Sequence, residues 1–168
     1  MRYCLKKASA DDAQLLHRLK YEAFLPLYNV YKDDETNPVK ESMDNLLPKL
    51  TAKDSDYYII EAGSTPVGGV RAVSSREGDM SICRISPLFI TPEYQNRGIA
   101  QQAMRTLMSM YEPDLWTLST IKQEAGNCHL YEKLGFHPTG QELIINERMT
   151  IIYYELAADK PKDNAARN

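Results

Sequence analysis

The sequence predicts a single α/β (α+β) domain in which one mixed sheet is flanked by helices. Apolar positions switch between strand-like runs and helical spacing in the order β-α-α-β-β-β-α-β-α-β-β. The chain has 168 residues, 43% hydrophobic and 26% charged, which is ordinary for a globular domain with one core. It contains no internal repeat and no run of about 18 apolar residues, so no membrane span is expected.

Tyr3 to Lys6 reads as a short first strand. Ser9 is placed to cap a helix, with Asp12 three residues on as its partner, and Leu15, Leu16, Leu19, Ala23 and Leu27 follow at helical spacing. Pro26 is expected to bend or end this helix, because proline lacks the amide donor and crowds the preceding turn. The polar, aromatic and acidic stretch from Tyr28 to Pro38 then reads as a loop. Pro38 suits the first position of a second helix carrying Met43, Leu46, Leu47 and Leu50. Strands are expected over Tyr57 to Glu61, Val67 to Ser74 and Met80 to Ile90, joined by turns at Ala62–Thr65 and Glu77–Asp79. A helix from Gly98 to Tyr111 buries Ile99, Ala103, Leu107 and Met110. A strand from Leu115 to Thr120 leads to a helix from Ala125 to Leu134, stopped by Gly135. Strands from Glu142 to Asn146 and Met149 to Glu155 complete a domain over residues 1–157, and the charged segment 158–168 is expected to be disordered.

Composition excludes several classes. Cys4, Cys83 and Cys128 are odd in number, widely spaced and without a C-x-x-C pair, so neither a metal site nor a disulfide framework is expected. Reduced thiols suit a cytoplasmic protein. The first residues, Met1 to Lys7, are charged too early for a signal peptide. A net charge of −3 argues against a nucleic-acid-binding surface but not against one anionic ligand.

The most informative stretch runs from Ser86 to Ala100, where a strand ends, a turn follows and a helix begins at Gly98. The first turn of a helix carries amide groups without internal partners and a partial positive charge, and a pyrophosphate fits such an end. Gly98 has no side chain to block the approach, Arg97 can add a charged contact, and Ala100 leaves the face uncrowded. The segment is not a Walker loop, for it lacks G-x-x-x-x-G-K-[ST], and with one glycine late in the chain it is not a dinucleotide fingerprint. Pro87 is a second signal. Proline cannot donate to a ladder, so hydrogen bonding is expected to break at this point of the strand.

The spacing Gln95-x-x-Gly98-x-Ala100 resembles the pyrophosphate loop, Q/R-x-x-G-x-G/A, of the GNAT superfamily of acetyl-CoA-dependent N-acetyltransferases. Leu130-Tyr131-Glu132-Lys133-Leu134-Gly135-Phe136 is similar to that family's L-Y-x-x-L-G-F signature, in the same order and about 30 residues later. The resemblance covers roughly residues 1–157 and implies a mostly antiparallel GNAT-like sheet whose fourth and fifth strands splay apart. It implies acetyl-CoA as cosubstrate, no metal, and an amine acceptor that is a small molecule or a peptide. Cofactor contacts would fall to Leu88, Phe89, Ile90, Gln95, Asn96, Arg97, Gly98, Ile99 and Ala100, and to Asn127 or Glu124. The Leu88 amide would meet the acetyl carbonyl, the backbone of Phe89 and Ile90 would hold the pantetheine amides, and Tyr131 would meet the leaving thiolate. Full proton transfer from an ordinary tyrosine (pKa about 10) to a thiolate (about 8.5) is uphill by about 2 kcal/mol, so a strong hydrogen bond with late transfer is expected.

The sequence departs from the family pattern in two places. Glu124 stands where many members have an asparagine seven residues before the tyrosine, and no acidic residue lies between Ser81 and Ile90, with Arg84 near the place of the usual glutamate base. Water, or the acidic loop Asp33-Asp34-Glu35, remains to take the amine's proton, and that loop can also attract a cationic substrate. Tyr28 and Tyr31 either line the acceptor pocket or cap the first helix pair. His17 is expected on a helix surface, and His129 and His137 carry no assigned role. A non-catalytic acyl-CoA-binding or sensor module is the alternative to an enzyme. Family members often dimerise, which leaves a homodimer open.

Overall fold

The computed structural model describes residues 2–159. One seven-stranded sheet, in the order β1-β2-β3-β4-β5-β7-β6, runs through the domain. Its strands are β1 (Tyr3–Lys7), β2 (Ser55–Ala62), β3 (Thr65–Glu77), β4 (Met80–Ile90), β5 (Leu115–Ile121), β6 (His137–Asn146) and β7 (Met149–Ala157). Every neighbouring pair is antiparallel except β4 and β5. Helices α1 (Ala13–Tyr31) and α2 (Met43–Thr51) cover one face, and α3 (Ile99–Ser109) and α4 (Ala125–Lys133) the other. Strand β2 is buried on both faces, which explains its unbroken apolar run. Tyr58, Ile60 and Ala62 pack toward α3, while Tyr57 and Ile59 pack toward α1 and α2.

The helices start largely as their capping residues dictate. The Ser9 amide donates to Asp12 Oδ2 at 2.9 Å, so the expected cap forms, and a 3-10 turn over Ala10–Asp12 leads into α1. That helix does not stop at Pro26. It runs through it to Tyr31 and ends on Lys32, in the left-handed region at φ 52°, whose amide donates to Tyr28 O. Tyr31 is buried, and burying a large side chain is worth about 1.5–3 kcal/mol, comparable with the roughly 3 kcal/mol cost of proline in a helix. Pro38 begins only a 3-10 turn over Pro38–Lys40, capped by Asn37, and Glu41 is extended. The second helix therefore starts later, at Met43, with Ser42 as its cap. Strand β6 begins at His137 rather than Glu142. Its register slips between Pro138 and Glu142, around Gly140 at φ 88°. Ala158, expected to open the tail, still donates to Asp114 O at 3.0 Å, and the rest of that segment, 160–168, lies outside the described residues.

The β3–β4 ladder carries the feature that shapes the site. Val70 pairs with Leu88 and Ala72 with Ile85, so β4 has one residue more than β3 and bulges at Ser86–Pro87, a cis peptide. Arg71 sits opposite the bulge, and its Nε–H donates to Ser86 O at 2.7 Å. Below the bulge β4 and β5 pair at only three positions, Ile82↔Leu115, Cys83↔Trp116 and Arg84↔Thr117. Above it the strands part, as the resemblance implies. Gly68 and Gly69 let β4 lie close over β3: a Cβ on Gly69 would come within 2.6 Å of the Phe89 ring, and one on Gly68 would strike Phe89 O.

Under α1 and α2 lies a buried ionic cluster. Lys20 is 1% exposed and pairs with Glu41, whose other carboxylate oxygen is 2.8 Å from Lys49 Nζ. Burial pushes the Lys20 ammonium below its ordinary pKa. Burial would raise the Glu41 carboxyl, but hydrogen bonds from Lys20 and Lys49 outweigh it and hold that group below its ordinary value.

Candidate active site

The parting of β4 and β5 opens a cavity of about 460 Å³ bounded by β4, α1 and the N-terminal ends of α3 and α4. The Thr91 amide donates to Val67 O at 2.8 Å, and backbone groups alternate sides along a strand. Phe89 therefore directs its amide and carbonyl to β3, while Leu88 and Ile90 direct theirs toward the gap that β5 has left. Ile90 O is engaged by Gln95 Nε2 at 2.8 Å, which ties the turn to the strand end. Of the three β4 residues expected to hold a ligand through their backbone, Leu88 and Ile90 are thus oriented for it. Phe89 offers its ring to the cavity wall, 5.8 Å from the ring of Phe24.

The turn after β4 is built by its local conformations. Asn96 at φ 60° and Gly98 at φ 77° are both left-handed, and Gly98 is the N-cap of α3 without a side-chain cap. The first intrahelical bond runs from Gln102 N–H to Gly98 O, so the amides of Ile99, Ala100 and Gln101 have no acceptor within the helix. A Cβ on Gly98 would meet nothing within 4 Å, which leaves the approach to these amides open. Gln95, Asn96, Gly98, Ile99 and Ala100 all line the cavity. Arg97 does not; its guanidinium stacks 5.1 Å over the Tyr94 ring, an exposed position beside the mouth.

One face of α4 forms the opposite wall. Glu124, Asn127, Leu130 and Tyr131 lie at helical spacing and all line the cavity, so both alternatives for the asparagine position reach it. Tyr131 is 7% exposed and packs 6.2 Å from Phe136 and 6.1 Å from Tyr154, measured between ring centres. Its hydroxyl has no hydrogen-bond partner among the described residues, and burial raises its pKa above the ordinary tyrosine value. Tyr31 OH donates to Glu124 Oε1 at 2.6 Å; burial and then this bond raise the Tyr31 phenol to about 12.

The acidic loop is not part of the cavity. Asp33 is 1% exposed and accepts from the amides of Glu35 and Thr36 and the Thr36 hydroxyl, closing its own turn. Asp34 accepts from Tyr28 OH at 2.6 Å and pairs with Lys40, and Lys32 and Lys40 lie over the Tyr28 ring. Asp33, Asp34, Glu35, Tyr28 and Tyr31 all lie off the cavity lining, and Tyr31 reaches the wall only through Glu124. His17 is half-buried rather than on the surface, with Nε2 3.0 Å from Glu41 O. Among the described residues no group of three His, Cys, Asp or Glu could hold a metal ion, and no helix is long and apolar enough to cross a membrane. The sequence places Ala23 and Leu27 on a helix that Pro26 is expected to bend or end, but it does not show that Ala23, Phe24, Pro26 and Leu27 form a wall of the cavity.

Three comparisons bear on this site. The acetyltransferase (GNAT) family profile matches residues 22–136. No curated protein matches the sequence. Among solved structures the fold is similar to yncA, a putative acetyltransferase from Salmonella typhimurium with its cofactor acetyl-CoA (TM-score 0.73, 15% identity, 100% of this chain and 99% of that one). It is similar also to spermidine N-acetyltransferase from Vibrio cholerae in complex with CoA and spermine (0.71, 21%, 92% and 95%). A third is Arabidopsis thaliana NAA60 in complex with a bisubstrate analogue (0.69, 14%, 93% and 98%). At these identities the likeness shows the fold. The family match spans most of the domain, and the chain belongs to the acetyltransferase (GNAT) family; it is an acyltransferase.

Proposed function

We propose that the cavity holds the acetylated pantetheine arm of acetyl-CoA, with its diphosphate at the α3 N-terminus, and that the acetyl group passes directly to a primary amine. The observation that carries this reading is the departure of β5 from β4 above Arg84. It leaves the Leu88 and Ile90 backbone directed into a cavity that ends at three unpaired helix amides. An extended arm with amide groups suits such an open strand, and a diphosphate suits the helix end. The unpartnered Tyr131 hydroxyl at the same cavity fits a thiol leaving group.

Acetyl-CoA supplies an activated thioester carbonyl. The amine's nitrogen bonds to the acyl carbon, the carbon–sulfur bond breaks with its electron pair leaving on sulfur, and the amine's proton passes to water, so that the net products are the amide and the free thiol. The Leu88 N–H meets the charge that grows on the carbonyl oxygen, a contact worth about 3–4 kcal/mol when preorganised. The Tyr131 hydroxyl donates to the departing sulfur. Asn127 and Gln101 border the mouth as further polar partners for the arm.

Calorimetry with acetyl-CoA, followed by thiol release against polyamines, amino acids, aminoglycosides and peptides, tests the reading. One-to-one binding with thiol release for at least one amine is expected. Failure of acetyl-CoA to bind refutes it, and binding without thiol release from any amine refutes its catalytic half.

A further inference from the structure

Glu124 is the one carboxylate among the residues that line the cavity. It stands at the N-cap of α4, where an acidic side chain ordinarily accepts from the first-turn amides. Here it makes no side-chain cap. Instead its Oε1 accepts from Tyr31 OH at 2.6 Å, across 93 residues of sequence. Tyr31 is itself anchored, 6% exposed, with its carbonyl accepting from Asn146 Nδ2 at 2.9 Å. The clamp fixes one oxygen of Glu124 and leaves Oε2 without a partner among the described residues.

A half-buried carboxylate with an unpartnered oxygen on a cavity wall is a site for a cation. Two acids of the loop after α1 are committed elsewhere, and neither they nor Glu35 lines the cavity. Asp33 closes its own turn and Asp34 is paired with Tyr28 and Lys40. Position along α4 shows which part of an acceptor Glu124 meets. It lies seven residues before Tyr131 on the same face, about 10 Å along the axis. Glu124, at φ −87° and ψ 82°, stands just before the first helical residue, so this spacing is that of the backbone positions. An amine attacking a thioester whose sulfur sits at Tyr131 OH is then too far from Glu124 for direct contact. A second ammonium, a few carbons further along the acceptor, is not.

We propose that Glu124, clamped by Tyr31, binds a second cationic group of the acceptor and so selects alkyl diamines and polyamines over monoamines. This rests on the reading of the cavity as the acetyl-CoA site. Glu124→Gln isolates the charge, because the glutamine oxygen still accepts from Tyr31 OH while the negative charge is lost.

The experiment has two stages. Acetyl-CoA binding to the wild-type full chain and to Glu124→Gln is measured by calorimetry; failure at this stage in the wild type refutes the cavity reading rather than the role of Glu124. The CoA-loaded proteins are then titrated with 1,4-diaminobutane and with 1-aminobutane, and thiol release from acetyl-CoA is followed with each amine. The wild type is expected to favour the diamine at least tenfold. Glu124→Gln is expected to lose that preference when both proteins are compared at saturating acetyl-CoA. Tyr31→Phe, which keeps the charge and removes the clamp, should retain part of the preference. The proposal is overturned if the wild type binds neither amine, if it does not discriminate between them, or if Glu124→Gln discriminates as the wild type does.

Discussion

Tyr131→Phe removes one oxygen and no hydrogen bond between protein groups, since the phenol has no partner among the described residues. Its ring contacts with Phe136 and Tyr154 survive in phenylalanine. Stability should therefore change by no more than about 0.5 kcal/mol, the range of a substitution that breaks no contact. The effect on turnover follows from the phenol's environment. An ordinary tyrosine already gives up its proton to a thiolate at a cost of about 2 kcal/mol, and burial of Tyr131 raises that cost further. The residue therefore acts chiefly by donating a hydrogen bond to a sulfur that becomes anionic as it leaves. Hydrogen bonds to charged groups contribute about 1.5–3 kcal/mol, which is roughly 10- to 150-fold in rate. Steady-state thiol release with 1,4-diaminobutane, acetyl-CoA calorimetry and a thermal melt measure the three quantities separately. Expected are a fall in kcat within that range, an acetyl-CoA Kd within twofold of wild type and an unchanged melt. A kcat within twofold of wild type removes Tyr131 from the mechanism. A large drop in melting temperature would mean that the hydroxyl has a structural partner after all.

Two further perturbations test the mouth and the scaffold. Gly98→Ala places a methyl at φ 77°, which costs about 1–2 kcal/mol of backbone strain, yet meets no atom of the protein within 4 Å. The melting temperature should fall only by about 2–8 °C, while the acetyl-CoA Kd rises at least tenfold, because the methyl stands at the approach to the α3 amides; an unchanged Kd would remove the helix end from the binding site. Glu41→Gln leaves Lys20 buried without its partner charge, a change that costs about 3–5 kcal/mol, or about 6–20 °C for a domain of this size. Lys20→Met should cost less than half as much, since Glu41 keeps Lys49 at 2.8 Å, and equal melts for the two variants would contradict the buried-pair argument. The Glu41 carboxyl is held below its ordinary value in the fold, so its contribution is complete above about pH 4.3 and is lost as the pH falls through the lower folded value. Glu41→Gln should accordingly flatten the acid limb of the stability–pH curve, read from melts between neutral and acid pH.

Much of the site was legible because its features are local. Gly98 after a polar turn, the proline in β4 and the tyrosine on α4 each express a backbone or side-chain rule that acts within a few residues, and all three lie at the cavity or at its edge. The residues expected on the acceptor side, Tyr28, Tyr31, Asp33, Asp34 and Glu35, lie off the lining of this cavity. Asp33 and Asp34 look in sequence like part of a free acidic patch, but Asp33 closes its own turn and Asp34 accepts from Tyr28 and pairs with Lys40. The cavity's own carboxylate, Glu124, looks like a mere departure from a motif, because its partner Tyr31 lies at the end of a helix that Pro26 is expected to bend or end.

By itself the sequence determined the order and type of the elements and the place where an anion can meet a helix, since periodicity, caps and left-handed glycine are properties of a few consecutive residues. The tertiary structure decided which way each group faces. The pairing of Thr91 with Val67 sends Leu88's amide into the gap and Phe89's away from it. Burial of Tyr31 accompanies the run of α1 through Pro26, and the contact between Tyr31 and Glu124 turns a capping residue into a cavity carboxylate. These outcomes depend on registers and contacts between residues tens of positions apart, whose energies exist only once the chain has closed on itself.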